Sequence, residues 1–173
     1  RFTAPSEQVC VTLTANKEGV DLTNLARRIA GALDPKLGSG QLDDNSLYLY
    51  ESVFGVDETM ERIEKILAEK SIPVFARIDH GKNAREAGLE MPPSKVVIFG
   101  SPKVGTNLML GNPGIATELP LRIAVWEDKE GSTWISFPHM EKIAREYGVE
   151  NLPPVAPIRQ LLRNIASKAA NVY

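Results

Sequence analysis

"LPLRIAVWEDKEGSTWISF", from Leu119 to Phe137, decides the fold. In its first arm Leu121, Ile123 and Val125 alternate with Arg122, Ala124 and Trp126, the period of two that a half-buried strand requires. Its second arm, "STWISF", is another strand, and Lys129-Glu130-Gly131 supplies the turn signal between them. The stretch therefore reads as a hairpin, and a hairpin makes its sheet antiparallel at that point. Upstream, "KVVIFG" (95–100), "IPVFARIDH" (72–80) and "LYLYESVF" (47–54) have the same strand character.

Between the first two strands in chain order lies "GVDETMERIEKILAEK" (55–70). Val56, Met60, Ile63 and Leu67 fall on one helical face, with Asp57 as the expected cap. Glu58 with Arg62 and Glu61 with Lys65 stand at the favourable i,i+4 spacing on the outer face. "MEKIAREYG" (140–148) reads as a further helix, with Gly148 as its stop. From Leu47 onward the order is strand, helix, four strands, helix. Strands that follow one another without helices between them argue for an α+β layout, an antiparallel sheet covered on one face.

Two segments flank this core. Residues 1–46 contain the alternating "VCVTLT" (9–14) and then "GVDLTNLARRIAGAL" (19–33), a strand-helix extension with Leu22, Leu25, Ala26, Ile29 and Leu33 at helical spacing. The "GVD" at Gly19 returns at Gly55, 36 residues on, a weak sign of duplication. Residues 150–173 form a helical tail after Pro153, Pro154 and Pro157. Ile158, Leu161, Leu162 and Ile165 make its apolar stripe, and Arg159, Arg163 and Lys168 lie outside that stripe. Such a helix docks on this body or on a partner, because three basic residues are too few to anchor it to a membrane surface.

Composition narrows the function classes. The 173 residues are 43% hydrophobic and 24% charged, a globular balance. The 20 basic and 22 acidic side chains are scattered, so the concentrated positive field of a nucleic-acid binder is missing. No apolar run approaches the ~20 residues that cross a bilayer. The reading is a soluble protein with neither a nucleic-acid nor a membrane partner. The chain begins at Arg1 rather than Met, which leaves cytoplasmic placement and export after leader removal both open. Cys10 is the single cysteine, so there is no internal disulfide framework, and within "VCVTLT" it reads as a buried hydrophobe.

The stretch 47–149 resembles the family called domain of unknown function 302. The residues that carry the resemblance are "FARIDH", "AGLEMPP", "IFGSPKVGTNLM", "LPLRIAVWED" and the "SF" before the last core helix. The resemblance implies a curved antiparallel sheet with helices on one face, a β-α-β4-α core similar to the TATA-box-binding-protein-like class. It implies no chemistry. Ser101 stands where the family tends to have Asn, "FPHME" replaces a Tyr-Asn-Asp-Pro-like helix start, and residues 1–46 lie outside the match.

Four candidate sites follow. Asp79, His80 and Glu90 would form an acid-base cluster if the chain turns at Gly81, because His titrates near neutrality and carboxylates orient it or shuttle protons. In an unbroken strand Ile72, Val74, Ala76, Ile78 and His80 share one face and Phe75, Arg77 and Asp79 the other, and Asp79 and His80 then merely fix the strand end. Second, Gly100 and Gly105 outline a phosphate loop, with Lys103 inside it and Thr106-Asn107 where that motif requires Lys then Ser or Thr; a helix start at Thr106 would offer N–H groups to an anion. Third, the absence of HxxxH and CxxC spacing argues against structural zinc, leaving a His80/Met109 or His80/Met91 pair on copper or haem. His139, after Pro138, reads as surface.

The fourth candidate is a mixed aromatic and charged sheet face, with Phe75, Arg77 and Asp79 on one strand and Arg122 and Trp126 on another. Such rows suit a small ligand or a subunit contact. The expectation is a self-associating module, a dimer, that holds a small ligand at Phe75, Arg77, His80, Lys103, Thr106, Asn107, Arg122 and Trp126. A small-molecule enzyme using Asp79, His80 and Glu90 is the alternative, and a haem or copper binder the second alternative. The sequence names no cofactor.

Overall fold

The computed structural model describes residues 41–42 and 47–171. The N-terminal strand and helix, Cys10 and the first "GVD" lie outside the described residues. The hairpin forms as read: β5 (Leu121–Glu127) and β6 (Thr133–Pro138) pair antiparallel, with Val125 opposite Ile135 and Trp126 opposite Trp134. Asp128 shapes its turn. Its Oδ1 accepts from the N–H groups of Glu130 at 3.0 Å and Ser132 at 2.8 Å, its Oδ2 accepts from Trp134 Nε1 at 2.7 Å, and Gly131 takes the φ of 82° that the reversal needs.

The sheet grows from this hairpin on both sides. β2 (Leu47–Ser52) pairs with β6, and the two-residue β1 (Gln41–Leu42) pairs with β2. On the other side β4 (Ser94–Phe99) pairs with β5, and β3 (Val74–Asp79) pairs with β4. Every pairing is antiparallel, and the order is β1-β2-β6-β5-β4-β3. This is the α+β antiparallel architecture that the strand order implies.

Opposed residues share a face, so the register separates two surfaces. Tyr48, Tyr50, Val97, Phe99, Ile123, Val125, Ile135 and Phe137 are buried on one of them. Two helices cover that face: α1 (Val56–Glu69), which packs on β4 and β5, and the tail helix α5 (Val155–Ala170), which packs on β2 and on α1. α1 buries Val56, Met60, Ile63 and Leu67, and α5 buries Ile158, Leu162 and Ile165. Each such side chain contributes about 1.5–3 kcal/mol by leaving water. Residues 40–171 form one compact unit, so the tail helix docks on this body.

Several local expectations are corrected. α1 is capped by Gly55 rather than Asp57, whose carboxylate instead pairs with Lys95. Arg62 reaches the end of α5, donating to the carbonyls of Ala169 at 3.0 Å and Lys168 at 3.2 Å, with its guanidinium 4.2 Å from the Phe54 ring centre. It closes the last turn of α5, where orphan carbonyls attract cations. Two short helices interrupt the expected run of strands: α2 (His80–Glu86) and α3 (Pro102–Gly111), the latter followed by a 3-10 turn at Pro113–Glu118. α4 (Met140–Glu146) ends as expected, with Gly148 at a φ of 66°.

The correction with most bearing on the site is in β3. Val74 stands opposite Phe99, but Ala76 stands opposite Ile98, so Phe75 is the extra residue of a bulge. The bulge reverses the parity of the strand. Val74 joins Phe99 on the helix-covered face, and Ala76 and Ile78 face the other way.

Candidate ligand pocket

The strand β4 runs into Gly100, and the chain turns at once into α3. Ser101 is the N-cap and Pro102 the first helical residue, where its missing N–H costs nothing. α3 then lies over the end of the sheet, and the 3-10 turn brings the chain back to β5 beside it. These elements enclose a cavity of about 400 Å³. Phe75 of β3 lies at one side, Gly100, Ser101 and Pro102 at the strand-helix junction, and Val104, Gly105, Leu108 and Met109 along α3. Leu119 and Leu121 close the β5 side, and Ile158 of α5 contributes to the wall. No lining side chain is charged.

Small residues keep this space open. A side chain at Gly100 would begin 3.6 Å from the Phe75 ring, and one at Gly105 would begin 3.7 Å from Leu119. The bulge turns Phe75 toward the cavity and leaves it 51% exposed, unusual for a residue of its size.

Of the residues expected to hold a small ligand, Phe75 and Thr106 line this cavity. Lys103 and Asn107 are exposed on α3 and do not. The Gly100–Gly105 interval is the start of a helix rather than a loop around a phosphate, and the helix begins at Pro102, not Thr106. Met109 lines the cavity, whereas His80 is the first residue of α2 and is not part of that lining. Among the described residues there is no group of three His, Cys, Asp or Glu side chains placed to hold a metal.

The mixed sheet face is corrected as well. Arg77 stands opposite Val97, which stands opposite Ile123, so Arg77 and Asp79 project on the helix-covered side. Arg122 and Trp126 project on the other. Arg77 Nε donates to both carboxylate oxygens of Glu64 in α1 at 2.9 Å. Arg122 pairs with Glu118 at 3.2 Å, and Trp126 donates to Ser136 at 3.1 Å while lying 6.3 Å from the Trp134 ring.

The chain does break after Asp79, and the break is a helix start. Asp79 Oδ1 accepts from the Lys82 N–H at 2.7 Å, and Oδ2 lies 3.5 Å from Lys95. The Lys82 N–H and then the Lys95 ammonium hold the Asp79 carboxyl below the usual carboxylate range. The bond to Asp57 is the main cause of a raised Lys95 pKa. His80 and Glu90 are both exposed, and among the described residues no hydrogen bond or ion pair joins them to Asp79 or to each other.

Sequence reasoning missed the cavity because its lining is bland. The available signal was the concentration of small and apolar residues in "IFGSPKVGTNLM". His139 was also misread as surface: it is half-buried, with its ring centre 3.8 Å from that of Tyr48. The Tyr48 hydroxyl in turn accepts from Arg163 at 2.7 Å, and Arg159 lies 3.5 Å from Glu141.

The family model described as domain of unknown function DUF302 matches residues 48–169, most of the chain. The chain belongs to the DUF302 family. The matched residues include nearly all of α5. A crystal structure of an uncharacterized conserved DUF302 protein from Bacillus stearothermophilus superposes with a TM-score of 0.64 at 20% identity, covering 72% of this chain and 98% of that one. That likeness shows the fold alone. Over 93 residues, 54% of its length, the chain is 42% identical to fluoride-specific ion channel FluC 1 of Brucella suis biovar 1. It is equally similar to FluC 1 of Brucella abortus biovar 1. The match spans 37% and 34% of those two relatives, little more than a third of their length. No helix among the described residues of this DUF302 chain is long and apolar enough to cross a membrane.

Proposed function

We propose that this DUF302 domain is a small-molecule binding module, with the ligand held between α3 and the β3-β4 end of the sheet. The observation that carries the reading is the apolar cavity of about 400 Å³ at that junction. It falls within the roughly 300–1,000 Å³ typical of ligand pockets. Its walls come from β3, α3, the 3-10 turn, β5 and α5, and sites built on helices and strands hold their shape better than sites on loops.

The test is native mass spectrometry of the freshly isolated full chain beside Gly105→Leu, which fills the cavity, and Gly105→Ala, which places only a methyl group there. The wild type and Gly105→Ala retain an organic adduct and Gly105→Leu loses it. Retention by Gly105→Leu, or a wild type that carries no adduct, ends the reading.

Self-association is a second part of the reading, supported by β3, which among the described residues pairs only with β4 and so presents a sheet edge. The acid-base alternative has less support, because both Asp79 oxygens already serve the α2 cap and Lys95. In the Brucella channels the matched stretch makes up about a third of the chain.

A further inference from the structure

We infer that the cavity selects uncharged, apolar ligands and that Phe75 is the residue that caps them, an inference that rests on the pocket reading above. The charge rule follows from what borders the space. The charged residues nearest in the chain stay out of the lining. Lys103 is exposed on α3 and absent from the lining, and Glu118 and Arg122 close on each other at 3.2 Å. An anionic or cationic group drawn into the cavity would lose its water and meet no opposite charge, a large penalty in an apolar setting. The only polar side chains in the lining are the hydroxyls of Ser101 and Thr106. Ser101 is an N-cap residue whose side chain makes no bond to its own helix, which leaves a neutral hydrogen-bonding group at the wall. A ligand with one hydroxyl, amide or carbonyl on an apolar body fits this set.

The capping role follows from the bulge. In an unbroken β3 the side chain of residue 75 would follow the strand's alternation; the extra residue between Val74 and Ala76 re-aims it over the cavity. The Phe75 ring is backed by Gly100 and is still half exposed, so a ligand beneath it gains an aromatic contact and the ring loses exposed surface.

The test uses a matched pair of fluorescent probes on the full chain, N-phenyl-1-naphthylamine and 1-anilinonaphthalene-8-sulfonate. They share one ring system and differ in the sulfonate. The neutral probe binds about tenfold or more tighter than the sulfonate, and Phe75→Ala weakens the neutral probe about tenfold. Equal or tighter binding of the sulfonate overturns the charge rule. An unchanged neutral-probe affinity in both Phe75→Ala and the milder Phe75→Leu overturns the capping role. If probe binding is indifferent to Gly105→Leu, the probes are outside the cavity and the pocket reading itself has failed, a result distinct from the other two.

Discussion

The two ends of β3 look unlike in the sequence and do unlike work in the fold. At the C-terminal end stand an acid and a histidine, the residues that chemistry uses. There Asp79 closes the first turn of α2 and meets Lys95, which also pairs with Asp57 of α1. At the N-terminal end stands a lone phenylalanine, and it borders a cavity. A polar pair at a strand end is readily spent on local backbone donors, because Asp competes for exactly such bonds wherever a helix begins. A bulge, by contrast, has no residue signature of its own, yet it re-aims a side chain. The comparison teaches that the apolar end is the functional candidate and the polar end a structural joint.

The strongest way to break that comparison is Leu108→Ala. Leu108 is fully buried on α3 and forms part of the cavity wall. Truncation enlarges an apolar space that the surroundings fill only in part, at a cost of about 2–5 kcal/mol. Urea unfolding measures the loss, and neutral-probe affinity falls with it. A change near zero would mean that α3 can collapse onto the sheet, and the cavity would then not be a formed site.

Asp79→Ala probes the other end with a smaller expected effect. Loss of an N-cap acceptor costs about 1 kcal/mol, and neutral-probe binding stays at the wild-type level. The pH dependence has a definite sign. Because its folded pKa lies below the ordinary carboxylate value, Asp79 contributes stability that is fully present above roughly pH 4 and is lost as the pH falls through the folded value. The difference between wild type and Asp79→Ala therefore narrows in acid. Asp128, lowered chiefly by its bond from Trp134, adds to the same acid sensitivity at the β5-β6 turn. A gap that stays constant from neutral pH down to pH 3 would show that the carboxylate charge does not support the α2 start.

The sequence made the sheet legible wherever one face is buried without interruption. β5 alternates as read, with Ile123 and Val125 buried on the covered face, and the segments read as β2, β4 and β6 all form strands. It failed at β3, where one inserted residue shifts the parity and sends Arg77 and Arg122 to opposite faces. It also missed α2, and it placed the start of α3 at Thr106 rather than Pro102. "HGKNARE" has almost no apolar stripe, and "PKVGTNLMLG" contains a proline and two glycines, so helical periodicity was too weak in both. The cavity lies between α3, whose first turn was not read, and the bulge, which was not read at all. Its residues could be listed from the sequence, but their convergence depends on those two irregular elements.

The smallest expected effect is at His80, and it sharpens the comparison most economically. His80 is the first residue of α2, is exposed, and takes no part in the lining of the cavity beside Phe75. Surface substitutions of this kind stay within about ±0.5 kcal/mol. His80→Ala therefore leaves the thermal midpoint, the sedimentation coefficient at micromolar concentration and neutral-probe affinity all at wild-type values. If the variant instead loses a measurable turnover while remaining folded, the polar end of β3 regains the catalytic role that its residues first suggest. If it unfolds, His80 is holding α2 in a way its exposure does not reveal. An unchanged variant leaves the polar end with one assigned task, to start a helix, and places recognition at the opposite end of the same strand.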